Sequence, residues 1–480
     1  MHAWLVPVGI GLLCLAIAGW LRHPDFPLDD AYILQHAVNG LAAGQDNRFS
    51  GSNAIDGATS PAHLLVVALL ASIMPVAWAQ FCVGSLALVL YAVGVFRLSR
   101  AADLAPALAA LMSALAVMLG LTVYQALNGL ETGLAMAAVT WALLLFWQPL
   151  PQSRASFLLL GALPFLRPEL AALSAILGLR ALYHPLKDGC ARHALPIAGL
   201  FTLAGALPFV LFLWFNSGSL WPGTASAKAY FFAEGCAPAL EKFIVTSKGL
   251  FYFIVNAGPL ALGFFALTAS RLRLAAVSFI GAFLAAYFLR LPGALSHNHF
   301  RYTYLLLPFA VAGCIAAVGR LQSGRARLLV LGTLVPLAAI LLPGTLLLFA
   351  DDIEKSRTER KTVSEWVAKN VPPDATVMVH DAGYISLVGS QPLVDLVGLK
   401  TPSSVKINER FRWSACAKRD PHAIDAIARQ SGASHFVVNA EWDEIFGLTS
   451  ALTAHGWMAT RVDAARPQSL YRVYRIARPD

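Results

Sequence analysis

Ten long apolar runs limit what this chain can fold into. They fall near residues 3–21, 77–97, 104–121, 129–148, 156–183, 194–215, 250–269, 272–290, 301–319 and 327–349. About 20 consecutive apolar residues cross the hydrocarbon core as a helix. The run 156–183 is interrupted by Leu166-Arg167-Pro168-Glu169. Proline and two charges at mid-span read as a hairpin between two helices, which brings the expected count to about 11 crossings. Residues 61–74 are apolar but lie between Pro61 and Pro75 and are too short to span comfortably; they read as an interfacial or partial helix. Residues 1–21 lack a basic start and precede many further runs, so a first transmembrane helix is expected, not a signal peptide. Only 13% of the 480 residues are charged and 57% are hydrophobic, against about 25% charged in soluble domains. A disordered chain, a coiled coil and an ordinary soluble enzyme are excluded.

The net charge of +9 belongs almost wholly to residues 1–350, which carry 19 basic and 11 acidic residues. With the N-terminus in the cytoplasm, Arg97, Arg100, Arg180, Lys187, Arg271 and Arg273 fall on inward connections, as the positive-inside rule favours. Residues 22–76, 215–249 and 351–480 then lie outside. No basic run or reader motif points to nucleic acid. The six cysteines include no C-x-x-C pair, so neither a disulfide framework nor a cysteine zinc site is expected.

From residue 351 the composition changes. Glu359–Asn370 has helical periodicity, Ala375–His380 and His435–Asn439 read as buried strands, Ala423–Gln430 as a helix and Leu470–Ile476 as a last strand. The expected architecture is therefore a polytopic α-helical membrane protein, 1–350, followed by a soluble α/β domain, 351–480.

Acidic groups are costly near a bilayer, so their placement is informative. Asp25, Asp29, Asp30, Asp46 and Asp56 all lie in the first outer loop. Adjacent Asp29 and Asp30 project about 100° apart on a helix. One could act as a general base while the other holds a metal or orients a partner; equally, both could serve a helix N-terminus. Glu131 opens an apolar helix on the same side, and Glu169 beside Arg167 reads as a buried ion pair or part of a pocket. Lys228, Arg290 and Arg301 are outer-face cations suited to a phosphate or to headgroups. His297 and His299 flank Asn298 and are candidate metal ligands, although their spacing suits a strand better than a helix. In the tail, Asp381 and Asp395 are candidates for sugar hydroxyls or for turn chemistry. No G-x-G-x-x-G and no P-loop occurs.

In order along the chain, Asp29-Asp30-Ala31-Tyr32-Ile33, Gly57-Ala58-Thr59-Ser60-Pro61, Asn128-Gly129-Leu130-Glu131-Thr132, Leu166-Arg167-Pro168-Glu169 and Trp221-Pro222-Gly223-Thr224 through Lys228 resemble the GT-C superfamily of membrane glycosyltransferases. Asp381-Ala382-Gly383 and Val394–Leu399 continue the likeness, which is nearest to mycobacterial-type terminal arabinofuranosyltransferases and their bacterial relatives. The resemblance implies an inverting transfer of a sugar, arabinofuranose on the nearest likeness, from a polyprenyl-phosphate donor to a glycan, lipid or protein acceptor at the outer face of the inner membrane. It implies that Asp29 or Asp30 is the catalytic acid group, with a divalent metal ion as an optional cofactor. Lys228, Arg301 and Arg290 would hold the donor phosphate. Tyr32, Glu131, Arg167, Glu169, His297 and His299 would line the donor or acceptor pocket. The chain departs from many relatives at Gly223 (often Asn) and Ala58 (often Tyr). Three other readings stay open: a transporter or flippase, a non-catalytic glycan-assembly subunit, and a lipid-linked transferase moving a phosphate-bearing group.

Overall fold

The computed structural model describes residues 5–21, 24–147, 153–187, 191–463 and 469–478. Its first half is a succession of helices: α1 (Leu5–Leu21), α2 (Asp29–Ala43), α3 (Pro61–Ala71), α4 (Val76–Ala101), α5 (Pro106–Met118), α6 (Thr122–Leu127), α7 (Thr132–Leu145), α8 (Arg154–Leu166), α9 (Leu170–Lys187), α10 (Ala191–Ser217) and α11 (Thr224–Phe232). Helix α3 starts at a proline and is capped by Ser60, whose hydroxyl accepts the His63 N–H at 3.1 Å. Its 11 residues are too few to span. The break between α8 and α9 falls at Arg167-Pro168-Glu169. Arg167, preceding the proline, is forced into extended backbone (φ −155°, ψ 137°).

Six helices are long and apolar enough to cross a membrane, and six more apolar helices are shorter. This is a membrane protein. Against the expected count of about 11 crossings there are thus six helices of full span length among the described residues. Two of the apolar runs are cut by glycines in left-handed conformation: Gly120 (φ 67°) follows α5 and Gly129 (φ 80°) precedes α7. Helices α8 and α10 meet backbone to backbone. A Cβ on Gly161 would lie 2.0 Å from the Thr202 carbonyl oxygen, and one on Gly205 2.1 Å from that of Leu158. Small residues at such crossings let helices pack closely in lipid.

The last long helix, Gly324–Lys355, does not stop near residue 350. It runs through a wide turn, Ser356–Lys361, into a further helix, Thr362–Asn370. The expected boundary at 350/351 therefore lies inside continuous helix. Beyond it a five-stranded sheet has the order β2-β1-β3-β5-β4, with β1 Val377–Val379, β2 Leu393–Asp395, β3 His435–Asn439, β4 Met458–Arg461 and β5 Tyr471–Ala477. β1 is parallel to β2 and β3, and β5 is antiparallel to β3 and β4.

This domain is built onto the first outer loop. Phe49 pairs in parallel with Leu393 at the sheet edge. The Arg48 guanidinium donates to the carbonyls of Gln391, Val388 and Gly389 at 2.8–2.9 Å. Lys400 and Asp46 form an ion pair at 2.7 Å with both side chains 0% exposed. Contrary to the expectation from cysteine spacing, a disulfide joins Cys236, just after α11, to Cys416 of the domain. A separation of 180 residues leaves no local pattern in the sequence to read.

Candidate active site

The start of α2 brings Asp29 and Asp30 to one place and sends them different ways. Asp30 Oδ2 accepts from Lys228 Nζ at 3.2 Å and from Arg301 Nη1 at 2.6 Å. Its Oδ1 has no hydrogen-bond partner among the described residues. Arg301 Nη2 continues to Glu131 Oε1 at 2.9 Å, and Arg167 Nη1 reaches the same oxygen at 2.7 Å. Arg167 then grips Glu169 with two N–H groups, at 2.7 and 3.3 Å. The Tyr287 hydroxyl donates to Glu169. Signs alternate along this chain of three acids and three bases, so every charge is compensated, and Glu131, Arg167 and Arg301 are buried. An uncompensated ion at this depth would cost several kcal/mol, on the order of 3–5.

Tyr302 sits at the middle. Its ring lies 4.7 Å from the Arg167 guanidinium and 5.4 Å from that of Arg301. Lys228 Nζ donates to its hydroxyl at 3.2 Å. Burial alone would push the Asp30 carboxyl up, but Lys228 and Arg301 outweigh it and hold the group well below the usual carboxylate range. Burial works against charge on Lys228 too, yet the facing Asp30 raises it above its ordinary value.

Three cavities meet here. A small central one is lined by Asp30, Thr59, His63, Glu131, Lys228 and Arg301. A second, of about 200 Å³, is walled by Arg167, Glu169, Ala286, Tyr287, Arg290 and Tyr302. A third, of about 440 Å³, lies between Phe232, Glu234, His297 and the domain residues Lys418, Arg419, Trp442 and Phe446. Lys228, Leu291 and Tyr302 line both larger cavities. A fourth, of about 280 Å³, contains Ala58 and Gly223, the two positions at which the chain departs from many relatives.

Asp29 faces the C-terminal domain instead. Its Oδ2 accepts the Gly383 N–H at 2.7 Å and its Oδ1 the Tyr384 N–H at 3.0 Å. Burial and the charge of Asp381 push its carboxyl up to about 7, against the pull of Arg360 and the two N–H groups. Gly383 is required there, since a Cβ would lie 2.1 Å from the Asp29 carbonyl oxygen. Asp29 and Asp30 therefore do not converge on one point as a metal pair would.

The histidines also separate. Asn298, His299 and Phe300 are three successive residues with left-handed backbone (φ 49°, 54° and 67°), each costing roughly 1–2 kcal/mol. Gln125 Nε2 holds this turn by donating to the His299 carbonyl at 2.6 Å, and His299 Nε2 pairs with Asp352 at 2.8 Å. The turn delivers Arg301 to Asp30 and leaves His297 on the large cavity. No group of three or more His, Cys, Asp or Glu suited to a metal occurs among the described residues.

Other sequence candidates have structural duties. Tyr32 is buried and bonds through its hydroxyl to the Phe26 N–H at 3.1 Å, and it lines none of these cavities. Asp395 is 0% exposed and caps its own turn, accepting from Val397 and Lys400 N–H groups. Asp381 is engaged by His380 and Tyr471. Neither lines any of the four cavities. Missed from sequence were His63, Tyr302, Glu234, Arg419 and Trp442. Tyr302 sits in an apolar run, and only its neighbour Arg301 marks it.

A family profile described as a domain of unknown function (DUF8728) matches residues 351–474. No curated protein matches the chain. Among solved structures, ArnT from Cupriavidus metallidurans bound to undecaprenyl phosphate superposes with a TM-score of 0.56 at 13% identity, over 98% of this chain and 97% of that one. Its apo form gives 0.53 at 14% identity with the same coverage. The arabinofuranosyltransferase AftD from Mycobacteria gives 0.46 at 15% identity, over 100% of this chain and 40% of that one. The fold is that of the GT-C glycosyltransferases.

Proposed function

We propose that this chain is an inverting glycosyltransferase. It takes a sugar from a polyprenyl-phosphate donor and places it on an acceptor hydroxyl at the outer face of the bacterial inner membrane. The observation that carries this reading is the position of Asp30, held between Lys228 and Arg301 where the cavities meet. ArnT, of like fold, was captured with undecaprenyl phosphate, and a carrier of that class suits the cavity walled by spans and by Arg167 and Arg290. The disulfide supports an oxidising, outer location for both cysteines.

In this mechanism the donor phosphate lies between Lys228 and Arg290, and Arg301 shifts part of its charge to it. Arg301 Nε, buried and without a partner among the described residues, is an unspent donor there. Drawing the cations toward phosphate frees Asp30 to act as a base. Its Oδ1 takes the acceptor O–H proton as that oxygen bonds the anomeric carbon. The bond from that carbon to the phosphate oxygen breaks on the opposite face, and polyprenyl phosphate leaves with the electron pair, its charge met by Lys228 and Arg290. Asp29 keeps the C-terminal domain on α2. Arabinofuranose is the sugar proposed.

The direct test is transfer from undecaprenyl-phosphate arabinofuranose by the purified chain. Asp30→Asn should bind undecaprenyl phosphate in native mass spectra and fail to transfer or hydrolyse the sugar. Full turnover in that variant would remove Asp30 as base.

A further inference from the structure

We infer that the cavity between His297 and Trp442 receives the acceptor, and that the acceptor is a saccharide whose ring lies on the Trp442 indole with Glu234 and Arg419 at its margin. This rests on the transferase reading and specifies its second substrate.

The two larger cavities differ in what builds them. Arg167 comes from the break between α8 and α9, and Ala286, Tyr287 and Arg290 come from the apolar helix Arg273–Arg290, so a lipid-borne group reaches that side from the bilayer. The other cavity is closed by the C-terminal domain and by the connection Leu291–His297, and its ligand arrives from outside the membrane. Both end at Lys228 and Tyr302, next to Asp30, so ligands entering from opposite sides meet at one base.

The chemistry of the outer cavity selects the ligand. Trp442 is partly exposed, and its plane is fixed by the His380 ring at 5.0 Å and 28° and by the Phe446 ring at 5.6 Å and 21°. Where it lines the cavity, the rigid indole offers an electron-rich surface to the weakly positive C–H face of a sugar ring. Hydroxyl and acidic substituents stand round the edge of such a ring, and polar groups stand round this platform. Arg419 gives its Nε–H to the Ile445 carbonyl at 2.7 Å and has no carboxylate partner among the described residues. Glu234 accepts the Gly293 N–H at 2.9 Å through Oε2, while its Oε1 accepts nothing among them. Lys418, by contrast, is already paired with Glu241 at 3.3 Å. The Cys236–Cys416 bridge lies two residues from Glu234 and two from Lys418, so opposite walls are tied before a ligand enters.

The experiment uses the full chain in detergent on a printed array of oligosaccharides from bacterial envelopes, with arrayed peptides and phospholipid vesicles beside it. The wild type should bind at least one saccharide group. Trp442→Ala and Arg419→Gln should each lower that binding by at least about tenfold, Trp442→Phe by less, and Arg290→Gln, in the other cavity, not at all. Undecaprenyl phosphate retention in native mass spectra should be equal in the wild type and the Trp442 and Arg419 variants, which also shows that these fold, and lower in Arg290→Gln, whose intact saccharide binding shows that it folds. Saccharide binding unchanged in Trp442→Ala, no saccharide bound at all, or a Trp442-dependent signal on peptides or vesicles alone would each overturn the inference. Loss of lipid binding in the wild type with saccharide binding intact would count against the transferase reading and leave the saccharide site standing.

Discussion

The seam between α2 and the C-terminal domain and the cluster around Lys228 use the same residue types to opposite ends. At the seam Arg48 donates to three backbone carbonyls at 2.8–2.9 Å, Asp29 accepts two backbone N–H groups, and Asp46 pairs with Lys400 while accepting the N–H groups of Arg48 and Phe49. Backbone partners are fixed by the fold, so these charges have no second arrangement. Around Lys228 the partners are side chains that face cavities, and Asp30 Oδ1 and Arg301 Nε are left over. Buried charge alone therefore does not mark a site; unspent valence beside open space does.

The comparison breaks most sharply at its two acids. Asp30→Asn should lower transfer per folded molecule by at least about 10²-fold, whereas Asp29→Asn should retain most of the turnover per folded molecule. Activity assays on both variants decide it, and the reverse order would exchange their roles. Next, Lys400→Met should destabilise the chain by about 3–5 kcal/mol, because the buried Asp46 carboxylate loses the ammonium paired with its Oδ2. Thermal melts would show the loss, and the surviving folded protein should still transfer sugar.

A pH series sharpens the contrast. With no donor bound Asp30 is held well below the ordinary range, so kcat/KM should show no acid limb between about pH 5 and 8. An acid limb near 7 would reassign the base to Asp29. For stability the sign is the reverse of an ordinary ion pair. The folded Asp29 carboxyl keeps its proton up to about 7, against an ordinary 3.8. Its stabilising contribution is present below the ordinary value and is lost as pH rises through the folded one. Asp29→Asn should flatten that decline in melting temperature. Smallest of all, Asn298→Gly should relieve backbone strain and raise stability by at most about 1 kcal/mol. It should also raise the donor KM, as the turn that aims Arg301 slackens.

Much of this could be read before the structure. Apolar runs place the helices, and Pro168 between two charges locates the break after α8. Adjacent Asp29 and Asp30 mark the loop that matters, though nothing in their order says which one faces a cavity; backbone N–H groups 354 residues away decide that. Strands β2 and β4, of three and four residues, are too short to show alternation. Asp395 reads equally as ligand or turn cap, since both tasks suit an aspartate near a glycine. Trp442 is one of 11 tryptophans, and only the stacking on His380 sets it apart.

The bridge from Cys236 to Cys416 also sets a schedule. At roughly 5–20 residues per second, the ribosome needs about 10–40 s to make the 180 residues that separate the two cysteines. Through that interval Cys236 is an unpaired thiol on a growing chain, while Cys14, Cys82 and Cys314 are held in helices. Closing the wall beside Glu234 thus waits for the domain that supplies Cys416, and a chain that stops before it never completes the wall.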